Sequence, residues 1–274
     1  MNRSKKLFFV LSWLSLLLAV VFTVMPAAGQ QPAQSVAKPP DKKTILEKAL
    51  HTYYVLENLG LKSFQCTAQP DWKKFMDAMA PKPATGEDPR VALLAPVQYS
   101  VAIDNQGDPK ISPVLTTEGT PDPSVQGVVD GAQRTLLGFF QQWDSMVLSS
   151  LFSPSEEASY TLSEQPDGYK LNEVSGELNI EILLTKEYIF TTMKSAAPGV
   201  VILIKPQFTK TDKGLLMTAM EDDINNGSQK VNIQIQYQAV DGFQLPSKVS
   251  YVATFSGQTV PLEFTFTKYQ LAKR

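Results

Sequence analysis

In the C-terminal half of the chain, apolar and polar residues alternate in short runs. Pairs of turn-forming residues separate these runs. Asn226-Gly227 and Asp241-Gly242 are pairs of the kind that most strongly signals a two-residue β-hairpin turn. Because successive side chains of a strand point to opposite faces, the pattern predicts consecutive hairpins of an antiparallel sheet with one apolar and one polar face. The runs are 178–184, 215–219, 231–237, 249–255 and 260–266, and the other turn pairs are Asp167-Gly168, Ser175-Gly176, Lys213-Gly214 and Ser256-Gly257.

The N-terminal half instead carries segments in which apolar residues recur every three or four positions. The spacing predicts amphipathic helices over 44–59, 70–79 and 123–151. The last of these has Asp122 as its cap, Pro123 in its first turn and Pro154 at its end. The other predicted elements are a strand at 61–68, a loop at 80–89 and a hairpin at 97–116.

Together these elements predict an α+β fold. We expect one large, curved antiparallel sheet, a half-barrel, with a long amphipathic helix and one or two shorter helices covering its apolar face. The sequence predicts at least seven strands against one long and two short helices. Either the sheet curls and closes its own core, or part of its apolar face remains available to a ligand. Residues 42–274 are expected to form a single domain.

The first 29 residues have the pattern of an export signal. Arg3, Lys5 and Lys6 precede an apolar run over 7–24, and small residues follow up to Gly29. We predict a signal peptide over 1–29 that is cleaved near Gly29, and a flexible linker over 30–41 that is rich in Pro and Ala. The protein is then periplasmic or secreted, with no stable membrane span once the signal is removed. The alternative is an uncleaved anchor, since about 20 apolar residues span a bilayer.

Composition and charge exclude several classes of function. Without the three basic residues of the predicted signal, the chain has 22 basic and 27 acidic residues, so a nucleic-acid partner is not expected. The sequence has one cysteine, Cys66, and one histidine, His51, which do not suffice for an internal disulfide, a zinc site or a His-based nucleophilic triad. We therefore predict no cofactor, no metal site, no catalytic residue and no enzymatic activity.

Two groups of carboxylates are candidates for calcium binding or for catalysis. The acidic segment 220–228 does not match a calcium-binding loop and is expected to be a solvated loop closing a hairpin at Asn226-Gly227. Glu156/Glu157 and Glu177/Glu181 are paired by spacing, and the second pair is expected on a solvated strand face. A carboxylate-based enzyme stays open as a third hypothesis, which needs two acids that converge in a cleft.

Two segments near the C-terminus resemble a known family. They are "VDGFQLPSKV" at 240–249 and "VPLEFTFTKYQL" at 260–271. With the predicted layout, they are similar to the lipoprotein-sorting carriers of the LolA/LolB type, mainly over 155–271 and more weakly over 41–68. The resemblance implies a soluble envelope protein that shields acyl chains inside an incomplete β-barrel, without metal or catalysis. The chain is longer than the family pattern, and no family gating residue is matched in it.

The leading hypothesis is a non-enzymatic binder of an apolar ligand, such as a lipid, an acyl chain or a lipoprotein, in the bacterial cell envelope. The alternative is an envelope protein-interaction module with a fully packed core and no ligand. The candidate ligand-binding residues face the apolar side of the predicted elements, where they could equally fill an ordinary core. They are Phe139, Phe140, Trp143, Ile233, Ile235, Tyr237, Tyr251 and Phe255.

Overall fold

An antiparallel sheet of twelve strands makes up most of the described part of the computed structural model, with helices on its apolar face. The structure describes residues 41–79, 86, 88–104, 109–149, 152 and 160–274. The predicted signal peptide, nearly all of the predicted linker and Glu156/Glu157 lie outside these residues. The predicted fold class is confirmed.

The strands follow one another in space almost as they do in sequence. Their order in the sheet is β3-β2-β1-β12-β11-β10-β9-β8-β7-β6-β5-β4, so β1 pairs with β12 and the described sheet has β3 and β4 at its edges. The strands are β1 (Leu61–Pro70), β2 (Val97–Asp104), β3 (Lys110–Leu115), β4 (Tyr160–Gln165), β5 (Gly168–Ser175), β6 (Leu178–Thr185), β7 (Phe190–Ala197), β8 (Val200–Thr211), β9 (Gly214–Ile224), β10 (Gln229–Val240), β11 (Phe243–Phe255) and β12 (Gln258–Lys273).

All six predicted turn pairs lie at the ends of hairpins. At the β10–β11 turn, Asp241 and Gly242 both have positive φ angles, 51° and 88°, as a primed hairpin turn requires. The predicted runs do not include strands β4, β5, β7 and β8. The turn between β6 and β7 has no glycine signal. Thr185 and Tyr188 form it, with Tyr188 at a φ of 64°.

The helices differ from the prediction mainly at their ends. They are α1 (Lys42–Thr52), α2 (Trp72–Met79), α3 (Pro89–Leu94) and α4 (Gln126–Trp143), with a 3₁₀ turn before α4 (Pro123–Val125) and a π-helical turn after it (Asp144–Leu148). Helix α3 was not predicted; Asp88 caps it and Pro89 occupies its first turn. The predicted helix 123–151 extends to Leu148, and Pro154 lies outside the described residues.

Tertiary contacts explain the early end of α1, which was predicted to run to residue 59. Tyr53 forms a parallel bridge to Leu215 of β9. The amide of Leu56 then donates to the carbonyl of Val147 at 2.8 Å, and that of Glu57 donates to Leu148 at 3.0 Å. These bonds tie the segment after α1 to the π-helical turn, and they use amides that a longer helix would need internally.

The sheet curves around α4. Gln133 of α4 donates to the carbonyl of Ile111 on β3 at 2.7 Å, and Gln142 donates to Asp222 on β9 at 3.1 Å. A flat sheet would separate β3 from β9 by six strand spacings, or about 29 Å. The two glutamines are nine residues apart, about 14 Å along the helix. The sheet therefore bends to bring both strands to one helix, and the core lies inside this bend.

Candidate functional site

A cavity of about 340 Å³ lies between α4 and the sheet, on the side of the hairpin tips that join β9 to β10 and β11 to β12. Buried side chains of Phe139, Ile233, Tyr251 and Leu262 form part of its wall. The other lining residues are Phe75, Gly131, Arg134, Thr135, Leu137, Gly138, Gln141, Gln142, Asp222, Ile224, Gln229, Val231, Ala253 and Val260. The cavity is thus mainly apolar, with a few polar groups.

Two glycines of α4 create room for this cavity. Gly131 and Gly138 lie two helical turns apart, so they share one face of the helix, and both line the cavity. A Cβ atom added at either position would meet no described neighbouring atom within 4 Å. Glycine inside a helix costs about 0.5–1 kcal/mol relative to alanine. With alanine at these two positions, the helix would be more stable and the cavity would be smaller.

Asp222 is the buried polar group of the site. It lies on β9 between Met220 and Ile224, on the face that points toward α4, and the residue is only 6% exposed. Its Oδ2 accepts a hydrogen bond from Nε2 of Gln142 at 3.1 Å, and its Oδ1 has no hydrogen-bond partner within the described chain. Burial raises the pKa of Asp222 to about 6.

This position corrects the prediction that 220–228 is a solvated loop. The turn at Asn226-Gly227 is confirmed, but Glu221, Asp222 and Asp223 belong to strand β9. Strand alternation places Asp222 on the same face as Met220 and Ile224, and it is buried with them.

The other polar groups lie on α4 and at the hairpin ends. Tyr251 of β11 donates from its hydroxyl to the carbonyl of Thr135 at 3.4 Å. Arg134 is exposed, so its guanidinium can stay hydrated while its residue contributes to the cavity wall. Arg134, Thr135 and Tyr251 all line the mainly apolar cavity.

The structure brings three of the eight candidate ligand-binding residues to the cavity, namely Phe139, Ile233 and Tyr251. Phe140 and Trp143 pack deeper, where Trp143 donates from Nε1 to the hydroxyl of Tyr237 at 3.1 Å. Ile235 is buried in the same core, and Phe255 is 39% exposed beside the β11–β12 turn. Ligand binding by any of the eight stays a prediction.

The sequence analysis missed Gly131, Gly138 and Asp222. Signals for all three were present. A glycine inside a strong helical pattern has a cost that packing or function usually explains. The run from Met220 to Ile224 has the period of a strand, which places Asp222 on the apolar side.

The candidate metal-binding and catalytic residues do not lie together in the structure. In the described ranges, no three His, Cys, Asp or Glu side chains come together as a metal site would need. His51 is exposed, and burial raises the pKa of the Cys66 thiol to about 12, which keeps it in the unreactive protonated form. Glu181 forms an ion pair with Lys170 at 3.0 Å on the outer face, and Glu177 lies in an exposed turn. The cavity offers apolar contact and one buried acceptor.

Comparison with known proteins gives little further information. No family model matches the sequence, and no curated protein matches it. Among solved structures, the chain is similar to a LolA superfamily protein from Nitrosomonas europaea, with 9% sequence identity and a TM-score of 0.32 over 86% of this chain and 96% of that one. Within the described ranges, no helix combines the length and the hydrophobicity that crossing a bilayer requires.

Proposed function

We propose that this protein is a non-enzymatic binder and carrier of a small apolar ligand in the bacterial cell envelope. The cavity between α4 and the sheet is the observation that supports this function. Its volume of about 340 Å³ lies within the range of ligand pockets, roughly 300–1,000 Å³. It is also roughly twice the 150 Å³ of an engineered apolar cavity that binds benzene. A ligand with one hydrocarbon chain or ring system of about ten carbons would fit this volume.

The residues around the cavity favour a ligand-binding site over a packing defect. The cavity is partly open to solvent and mainly apolar, as ligand pockets usually are. Here two helix glycines face the space, and a buried carboxylate borders it, so three separate positions accept a cost in stability around one cavity. The envelope location rests on the predicted signal peptide. A lipid or a lipoprotein would enter with one acyl chain, because the volume does not accommodate several long chains.

Cavity filling tests this proposal. Gly138→Leu places a side chain in the open space in front of α4, and it should lower the affinity for a neutral solvatochromic dye such as N-phenyl-1-naphthylamine at least tenfold. Leucine is a better helix former than glycine by about 0.5–1 kcal/mol, so the fold should be retained. Dye titrations and thermal unfolding of both proteins give the two readouts.

Gly127→Leu is the matched control, because Gly127 lies on the same helix, is exposed and does not line the cavity. It should bind the dye as the unmodified protein does. Equal affinities of all three proteins would contradict the proposal. Native mass spectrometry of the protein purified without detergent from a bacterial envelope should also show a bound mass of one small apolar molecule.

A further inference from the structure

The geometry points to a specific head-group selectivity. We infer that the cavity selects single-chain amphiphiles whose head donates hydrogen bonds, and primary ammonium groups above all, with Asp222 receiving the head. This inference rests on the proposed function, since it requires that the cavity binds an apolar chain. It adds the chemical class of the ligand, which neither cavity volume nor fold defines.

The first step of the argument is the unused hydrogen-bonding capacity of Asp222. An ionised carboxylate accepts at about four positions, and Gln142 occupies one of them. Oδ1 finds no partner in the described part of the chain. Buried polar atoms are nearly always paired, and an unpaired one costs about 1–3 kcal/mol or more. A ligand donor would supply the missing partner.

The second step concerns the neighbours of Asp222. On the flanking strands it faces Ile204 of β8 and Val231 of β10, which offer no side-chain donor. The hydroxyl of Tyr251 forms a long hydrogen bond of 3.4 Å to the carbonyl of Thr135 and no hydrogen bond to Oδ1 of Asp222. From α4, Asp222 accepts one hydrogen bond, which Gln142 donates. Oδ1 therefore has no donor among the described residues, and its hydrogen-bonding capacity is free for a ligand.

The third step is charge. Burial without a cation leaves the ionised form of Asp222 poorly compensated, and its neighbour Glu221 disfavours that form further. Arg134 lines the same cavity, but it is exposed and lies eight residues before Gln142, about 12 Å along the helix. An ammonium head would form a charge-assisted hydrogen bond at Oδ1, whereas a carboxylate head would meet a like charge.

Four ten-carbon probes with different heads test the inference. Decylamine, decanol, decanoate and decane should be titrated below their aggregation limits in competition with the neutral dye at pH 7.5. Decylamine should bind at least tenfold more tightly than decanoate, with decanol between them. This ranking needs no variant, so it decides the question even if a substitution at residue 222 disturbs folding.

Asp222→Asn should remove the preference. The near-isosteric amide loses the charge, so decylamine affinity should fall at least tenfold while dye affinity stays the same. Glu221→Gln is the control, because it removes the adjacent charge on the opposite face of β9 and should leave the ranking intact.

The affinity for decylamine should also depend on pH. Primary amines remain protonated up to about pH 10, so between pH 5 and pH 8 only the state of Asp222 changes near the head. Affinity should increase as pH rises through about 6, where Asp222 loses its proton, and the Asp222→Asn profile should be flat.

The outcomes separate the two proposals. Equal binding of all four probes, a preference for decanoate, or an unchanged ranking in Asp222→Asn would overturn the head-group inference and leave the carrier function standing. Failure of the dye and of every probe to bind would overturn the carrier function, and the selectivity with it.

Discussion

Asp222 is a carboxylic acid in a position where the sheet otherwise has apolar residues. Strand neighbours Met220 and Ile224 share its buried face. Its pKa near 6, against an ordinary value of 3.8, means that the folded protein holds the proton more tightly than the unfolded chain does. The difference corresponds to at most about 3 kcal/mol of folding free energy.

The sign of this linkage gives a prediction about stability. A raised pKa of an acid contributes stability that is present below about pH 4 and is lost as pH rises through about 6. Asp222→Asn should therefore raise the free energy of unfolding by about 1–3 kcal/mol at pH 7 and change it little at pH 3. Urea denaturation of both proteins at the two pH values measures this difference. An equal difference at both values would contradict the assignment.

Tyr237 has a role in stability that does not depend on a ligand. Its hydroxyl accepts from Nε1 of Trp143 at 3.1 Å and donates to the carbonyl of Met217 at 2.6 Å. Tyr237→Phe removes both bonds and leaves two buried groups unpaired, so it should cost about 1–3 kcal/mol in urea denaturation. Thr209→Val removes a hydroxyl from an exposed strand position and should change stability by less than about 0.5 kcal/mol.

At the scale of elements, the contact between α1 and β9 depends on the absence of a side chain at Gly214. This residue has a φ of 119°, and a Cβ atom there would lie 2.7 Å from the carbonyl carbon of Tyr53. That close approach lets Tyr54 donate from its amide to Leu215 at 3.0 Å. The end of α1 is fixed on the sheet by this backbone contact.

Gly214→Ala should accordingly destabilise the protein by about 2–4 kcal/mol, from backbone strain and from the clash with Tyr53. Gly176→Ala is the comparison, because its φ of 61° is also positive but no described atom lies within 4 Å of the added Cβ. It should cost about 1–2 kcal/mol, the steric penalty of the left-handed region alone. Thermal unfolding of the pair measures the contact separately from the φ penalty.

Sequence periodicity predicted the elements that local sequence signals determine without long-range contacts. The β10–β11 hairpin was predictable because alternation and the Asp241-Gly242 turn agree. The end of α1 was not, because long-range bonds to Val147 and Leu148 determine it. The site was only partly predictable for the same reason. Apolar facing indicates which residues point inward, but which of them border a cavity depends on how α4 sits across strands that are distant in sequence.

At the scale of the whole molecule, Phe64 joins three parts of the fold. From β1 its ring contacts Phe140 and Trp143 of α4, with centroids 6.2 and 5.9 Å away, and Tyr269 of β12 at 5.7 Å. Phe64→Ala should lower the free energy of unfolding by about 3–5 kcal/mol, since it opens a void between the sheet and its covering helix. Val174→Ala, at a site that is 69% exposed, should change it by less than about 0.5 kcal/mol.

The pairing of β1 with β12 sets the order in which the fold can be completed. Strands β5 to β12 each pair with the strand just before them in the sequence, so these hairpins form between neighbouring segments of the chain. Strands β1 to β3 reach the rest of the sheet only through β12, the last of the twelve described strands to be synthesised. Helix α4 covers the inner face of β1 to β3, so it is their backbone pairing with the rest of the sheet that depends on β12. The β1–β12 pairing joins residues roughly 200 positions apart, so the entropy lost in closing this loop makes it a slow step of folding.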